Sequence, residues 1–198
     1  MFQVQDLKLL NLLTKEELTY LKYLYVKQNQ IIFHENQKAT GVFYVQTGEI
    51  QIISYTKNGN EELISTIKEH DFFANALIFS SSPYFLGEII AKKDTKIIYI
   101  EKNNLIKILQ NNKEFLEQYI NTISEKTIKL TQKNKLLSHK NIRERIIYYL
   151  EIHNKKIKKN ITQLSKELIL PRPSVSREVS KMINENIIKI ENNYLILN

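Results

Sequence analysis

The hydrophobic period of this chain turns from strand-like to helical near Glu101, and that change limits the folds open to it. Upstream, from Ile31, apolar residues recur at every second position in six short runs: IIFHE, VFYVQ, EIQIISY, ELISTI, GEIIA and KIIYI. Such alternation puts one side of a strand in a core and the other in water. Gly48 sits between two of the runs. Asn58–Gly59 joins EIQIISY to ELISTI as a hairpin, because both residue types tolerate positive φ. Many short strands at close spacing predict an antiparallel β-barrel of the jelly-roll kind over residues 30–101. Ahead of it, residues 6–27 carry a short amphipathic helix pattern, with Leu18, Leu21, Leu24 and Tyr25 on one face. Thr14 stands as its N-cap and Glu17 at the capping-box position.

Downstream the period is helical. Leu116, Ile120, Ile123, Thr127, Leu130, Asn134 and Leu137 alternate in steps of four and three, with no Pro or Gly between them. This heptad seam is narrow enough for one partner helix, and the simplest partner is a second copy of the chain. A polar Asn134 on the seam fixes register at some cost in stability. Phe115 and Tyr119 lie beside the seam and are placed to pack on the chain's own barrel. Ser138–Asn141 breaks the apolar pattern and marks a hinge. A further helix follows with Ile142, Ile146, Ile147 and Leu150 on one face, and then NKKIKKN (154–160), a basic loop or strand edge.

Residues 161–181, ITQLSKELILPRPSVSREVSK, read as two short helices joined by a tight turn. Thr162 is the expected N-cap of the first, and Leu164 and Leu168 its inward face. The turn falls around Leu170–Pro171. Pro173 suits the first turn of the second helix, where its missing N–H costs nothing. Val175, Val179, Met182 and Ile183 form the buried face there, which leaves Arg172, Ser176 and Arg177 outside, with Ser174 and Ser180 available to phosphates. Arg donates two hydrogen bonds to a guanine edge and Ser bonds a base or a phosphate, so such a helix suits the DNA major groove. The tail IIKIENNYLILN reads as two strands around Asn192–Asn193, the wing of a winged helix.

The charge agrees with a polyanion partner for the C-terminal part. Of the net +8, residues 1–110 contribute nothing, with twelve Lys against twelve acids. Residues 141–198 carry eleven Lys and Arg against six Glu, a balance of +5, and include all four arginines of the chain: Arg143, Arg145, Arg172 and Arg177. Cysteine is absent, which removes disulfides and cysteine-held iron–sulfur or zinc sites. The apolar run around Leu9–Leu13 is too short for a signal peptide or a membrane span, so a cytoplasmic protein without a membrane partner is expected. An enzyme reading finds little support. His34 and Glu49 are too few for a cupin-type metal cluster, and no nucleophile–base pair or phosphate-binding Gly loop occurs.

GVFYVQTGEIQI (41–52), the Asn-Gly hairpin, EHDFF (69–73), the long helix and RPSVSRE (172–178) together resemble the Crp/Fnr family of bacterial transcription regulators, over nearly the whole chain. The resemblance implies an α+β chain in three parts. A sensor barrel of the cyclic-nucleotide-binding kind spans 1–110, a long dimerisation helix 111–138, and a winged helix-turn-helix 139–198. It further implies a homodimer on a palindromic double-stranded DNA operator, with Arg172, Ser176 and Arg177 as base readers, and RNA polymerase as a partner. Members often carry a base-reading Glu after the first arginine; Pro173 stands there in this chain.

Members that bind cyclic AMP use a Gly-Glu pair and an Arg-Ser pair, which align with Ala74–Asn75 and Phe85–Leu86. No basic residue lies between Ser80 and Lys92. A buried phosphate without a cation is strongly disfavoured, so cyclic nucleotide is not the expected ligand. Phe72, Phe73, Phe79, Tyr84 and Phe85 have two readings: they fill the space as core, or they line a pocket for an apolar or aromatic effector bounded by Leu130 and Thr131. Some members sense gas through haem. His34, His70, His139 and His153 show no ligand spacing, and no metal or other cofactor is expected.

Overall fold

The computed structural model describes residues 9–56, 58–158 and 160–198, and divides the chain into two compact units, Met1–Glu125 and Lys126–Asn198. Among the described residues, the first unit holds eight strands: β1 (Lys22–Val26), β2 (Ile31–Phe33), β3 (Gly41–Thr47), β4 (Glu49–Tyr55), β5 (Glu61–Lys68), β6 (Phe72–Phe73), β7 (Glu88–Ala91) and β8 (Thr95–Glu101). All pairings are antiparallel, in two sheets of order β1-β8-β3-β6 and β2-β7-β4-β5. The antiparallel jelly roll expected from the sequence is present, in the form of a two-sheet sandwich. Its sheets share one core, in which Phe43, Val45, Ile50, Ile89 and Ile97 are fully buried.

Both glycines of GVFYVQTGEIQI have a steric reason. A Cβ on Gly41 would sit 2.3 Å from the Ile100 carbonyl oxygen, so only glycine lets β3 approach β8 that closely. Gly48 turns β3 into β4 at φ 101°, a region that side chains disfavour. The β4–β5 connection is longer than a two-residue Asn-Gly turn. Tyr55 pairs with Glu61, leaving a five-residue loop closed by Thr56 N–H donating to the Asn60 carbonyl at 2.9 Å.

The amphipathic helix expected over 6–27 is mostly replaced. Residues 6–8 lie outside the described residues, a 3₁₀ turn covers Glu17–Tyr20, and Leu24 and Tyr25 belong to β1, paired to β8. The reciprocal Thr14–Glu17 bonds do form: Thr14 N–H donates to Glu17 Oε2 at 2.8 Å, and Glu17 N–H to Thr14 Oγ1 at 3.2 Å. Glu17 also accepts from Asn112 Nδ2 at 3.0 Å, which ties this segment to the helical half of the unit. Burial pushes its carboxyl up, but these hydrogen bonds outweigh that and leave it below the usual range.

Two helices follow β8: α1 (Lys102–Asn111) and the long α2 (Lys113–Ser138), within which the boundary between the units falls. Phe115 and Tyr119 of α2 are buried in the core of the first unit, where Tyr119 Oη donates to the Asn75 carbonyl at 2.8 Å.

The second unit contains α3 (Ile142–Glu151), β9 (Lys156–Ile157), α4 (Ile161–Leu168), α5 (Arg172–Asn184), β10 (Ile188–Glu191) and β11 (Tyr194–Leu197). Asn192 and Asn193, at φ 49° and 64°, make the two-residue turn of the β10–β11 hairpin, and β9 adds to β11 as a third strand. A core of Ile146, Leu150, Leu164, Leu168, Val175, Val179 and Met182 holds the three helices together. Asn160 caps α4, not Thr162: its side chain accepts from Gln163 N–H at 2.9 Å while Gln163 Oε1 accepts from Asn160 N–H at 3.2 Å. The box formed two residues ahead of the expected cap because Asn160 and Gln163 have the three-residue spacing it needs.

α4 and α5 end in the same way, with one residue in the left-handed region and the next N–H reaching back five residues. At the end of α5 that residue is Asn186, which tolerates φ 58°; at the end of α4 it is Ile169, a β-branched residue at φ 55°. Replacing Ile169, which is exposed, by Gly is expected to stabilise the second unit by roughly 0.5–1 kcal/mol, the relief of left-handed strain less the entropy that glycine loses. Thermal melts of the two chains check this.

Candidate nucleic-acid interface

α5 starts from Pro171, whose carbonyl accepts from Ser174 N–H at 3.1 Å and Val175 N–H at 3.2 Å, and Pro173 stands at its second position. Val175, Val179 and Met182 are buried against α3 and α4, and Ile183 packs beside them. The opposite side carries Arg172, Ser176, Arg177 and Ser180, all exposed; Ser174 is half-buried. Arg177 Nε donates to the Pro173 carbonyl at 3.3 Å. Ser180 Oγ donates to the Ser176 carbonyl at 3.1 Å. Thr162 lies in the first turn of α4, where its carbonyl accepts from Ser165 Oγ at 3.0 Å.

The four arginines of this segment do not act alike. Arg145 donates to three backbone carbonyls: His139 from Nε at 2.9 Å, Leu137 from Nη2 at 3.2 Å and Leu168 from Nη1 at 3.4 Å. Arg143 donates from Nε to Glu178 at 2.7 Å, and from Nη1 and Nη2 to the two oxygens of Glu185 at 2.6 and 3.0 Å. The clustering of arginine in the sequence thus has two causes, since half of the cluster is spent inside the unit. What distinguishes Arg143 and Arg145 in sequence is their place on α3, away from the turn.

The hydrogen bonds from Arg143 hold the Glu185 carboxyl below its ordinary value of 4.5. A depressed native value means that the pair stabilises the fold above the ordinary carboxylate range, and that this contribution is lost as pH falls through the depressed value. The melting-temperature gap between the wild-type chain and Glu185→Gln is accordingly expected to close on acidification below 4.5, in melts taken at a series of pH values.

A second basic feature includes part of the run NKKIKKN. A cleft of roughly 500 Å³ lies between the β10–β11 hairpin and the start of α4, with Lys158, Asn160, Ile190 and Tyr194 in its wall. Lys156 Nζ lies 4.4 Å from the centre of the Tyr194 ring, a cation–π contact that holds basic charge on the wing.

In the first unit, Phe72, Phe73 and Phe85 are buried. Phe43 stacks on Phe73 at 4.9 Å, and Phe33 on Phe85 at 4.8 Å. Ala74 and Asn75 form the following turn, Ala74 at φ 59°, with the Asn75 carbonyl taken by Tyr119. Leu86 points outward, 75% exposed, as Phe79 and Tyr84 also do in part. Of the adjacent pair Phe85 and Leu86, one side chain is stacked in core and the other lies in water. Leu130 and Thr131 belong to the second unit and are exposed.

Along α2, Ile120, Leu130 and Leu137 are 52%, 63% and 38% exposed, an apolar row open to solvent in the single chain. Thr127 and Asn134 share that exposure, Leu116 is half-buried, and Ile123 packs in part on the core of the first unit. Each histidine has a local partner. His34 Nδ1 is 3.3 Å from Glu88, His70 Nδ1 2.8 Å from Tyr44 Oη, His139 Nδ1 3.7 Å from Glu144, and His153 Nδ1 2.7 Å from the Tyr149 carbonyl. Among the described residues, no group of three or more His, Asp and Glu is placed to hold a metal ion, and no helix is long and apolar enough to cross a membrane.

Residues 23–112 match the family of cyclic nucleotide-binding domains. Over 108 residues the chain is 23% identical to the anaerobic regulatory protein of Bacillus subtilis, a match covering 54% of this chain and 45% of that protein's length. A transcriptional regulator from Thermotoga maritima superposes with a TM-score of 0.57 at 25% identity, over 63% of this chain and 96% of that one. A transcriptional regulator of the Crp/Fnr family from Eubacterium rectale does so with a TM-score of 0.52 at 17% identity, over 96% and 92%. These relatives are regulators, not enzymes. Residues 23–112 thus match the cyclic nucleotide-binding domain family, and the chain shares the fold of solved Crp/Fnr-type regulators.

Proposed function

We propose that this protein is a cytoplasmic, sequence-specific DNA-binding transcription regulator that reads a palindromic operator as a homodimer and needs no cyclic nucleotide. The observation that carries the reading is α5. Its inner side is fixed in the core by Val175, Val179 and Met182, and its outer side presents Arg172, Ser176 and Arg177 to solvent. Ser174, Ser180, Thr162 and the wing lysines supply contacts to phosphate. Dimerisation uses the exposed apolar row of α2, and the paired second units then meet the two half-sites. Affinity falls steeply with salt because basic side chains displace counterions. RNA polymerase is the further partner such a regulator engages. The reading includes no haem, because His34, His70, His139 and His153 show no ligand spacing.

Selection of bound duplexes from a random pool, with no added ligand, tests this. An enriched palindrome supports the reading; weak, salt-sensitive binding with no enriched sequence overturns it. The dimer has its own test. Leu130 is 63% exposed in the single chain, so Leu130→Asp leaves the fold intact while placing a charge on the seam. Sedimentation is expected to show a dimer for the wild type and a monomer for the variant, with operator affinity lost in parallel.

A further inference from the structure

The apolar contact that holds α5 on α3 is not directional. Burial of Val175, Val179 and Met182 in one cluster with Ile146 and Leu150 sets which side of α5 faces inward, but a non-directional contact holds the fine rotation about the axis less tightly than a hydrogen bond does. That rotation matters here, because Arg172, Ser176 and Arg177 point wherever α5 turns them. A directional contact is present on the same pair of helices. From the first turn of α3, the planar guanidinium of Arg143 reaches Glu178 and Glu185 at once, with three hydrogen bonds of 2.7, 2.6 and 3.0 Å. The two carboxylates are seven residues apart, two helical turns or about 10 Å along the axis, and so lie on one stripe of α5. A rigid fork set between two points on one stripe fixes rotation and height together. Glu178 follows Arg177 directly in sequence, so the clamp acts next to a proposed base reader.

We propose that Arg143 is a positioning residue for DNA reading: its fork across Glu178 and Glu185 sets the rotation of α5, and with it the direction in which Arg172, Ser176 and Arg177 face. Arg143 contacts no base in this role. The inference rests on the reading of α5 as the recognition helix. Its energetic signature is specificity rather than bulk affinity, since a turned helix keeps its charge near the phosphates but misplaces its forks against base edges.

The test uses the full chain with Arg143→Lys, which keeps the charge but replaces the fork by a single point donor, and with Glu185→Gln, whose half-exposed site tolerates the change. Affinity is measured at one salt concentration for the selected duplex and for a duplex of scrambled sequence, beside a thermal melt. Arg143→Lys is expected to lose about tenfold in the ratio of the two affinities, with scrambled-duplex binding within about twofold of wild type. Glu185→Gln is expected to lose less, in the same direction, and carries the test by itself if Arg143→Lys does not fold. An unchanged ratio in the folded variants, or an equal loss on both duplexes, overturns the inference while leaving the DNA-reading proposal in place. A wild-type chain that selects no sequence overturns both.

Discussion

Arg177→Ala lowers affinity for the selected operator by about 1–3 kcal/mol, roughly tenfold to a hundredfold or more, and relaxes preference at one base pair per half-site. The size follows from a bidentate fork on a base edge, which a methyl group cannot replace and water replaces only in part. Arg177 is exposed and, among the described residues, bonds only through Nε, so its removal leaves the packing of α5 unchanged. Melting temperature is therefore expected to hold while binding falls. The measurement is repeated selection with the variant, together with titration of the wild-type site and of sites altered at each position. Preference retained at every position would remove Arg177 from the readers. A uniform loss on all sequences, with a salt slope reduced by about one, would make it a phosphate contact instead.

Phe43→Ala is expected to cost the first unit about 3–5 kcal/mol, the usual range for removing a large ring from a packed core. Phe43 is 1% exposed, and its ring centre lies within 4.8–5.5 Å of those of Phe33, Phe73 and Tyr99. Urea unfolding followed by circular dichroism measures the loss. The value decides between the two readings of the aromatic region. A ring that completes a close-packed cluster is costly to remove, and the void it leaves is apolar, so a benzene-sized ligand restores part of the stability of the variant while leaving the wild type unchanged. A loss below about 1 kcal/mol would mean that the region is loosely packed, as a site awaiting an effector is.

The strand runs were legible because alternation over five to eight residues has few other causes. EIQIISY, ELISTI and KIIYI lie within β4, β5 and β8. The same logic failed on Leu18, Leu21, Leu24 and Tyr25. Over so short a span a helical spacing and a strand alternation share positions, and the choice was made by β8, more than seventy residues away, which pairs with Lys22–Val26. Asn58–Gly59 marked a turn but not its length. A register shift between Ile52 and Ile53 accompanies a connection of five residues rather than two. At the candidate interface, Pro173 and the apolar spacing of α5 announced which side would be exposed. The arginine cluster announced charge but not its use, because nothing local to Arg143 reveals that Glu178 and Glu185, some forty residues on, will converge on it.

The sequence by itself determined what depends on neighbours along the chain: strand against helix over most of its length, the turns at Gly48 and Asn192–Asn193, the uninterrupted long helix, and the exposed stripe of α5. The tertiary structure alone decided what depends on distant partners. It distributed the eight strands between two sheets, stacked aromatic rings in the core they share, and divided four arginines into two that face solvent and two held by carboxylates and carbonyls. Local preference is written in spacing because backbone geometry repeats every two or 3.6 residues. Partnership across the fold has no such period, and is fixed only when burial and hydrogen bonding bring remote groups into register.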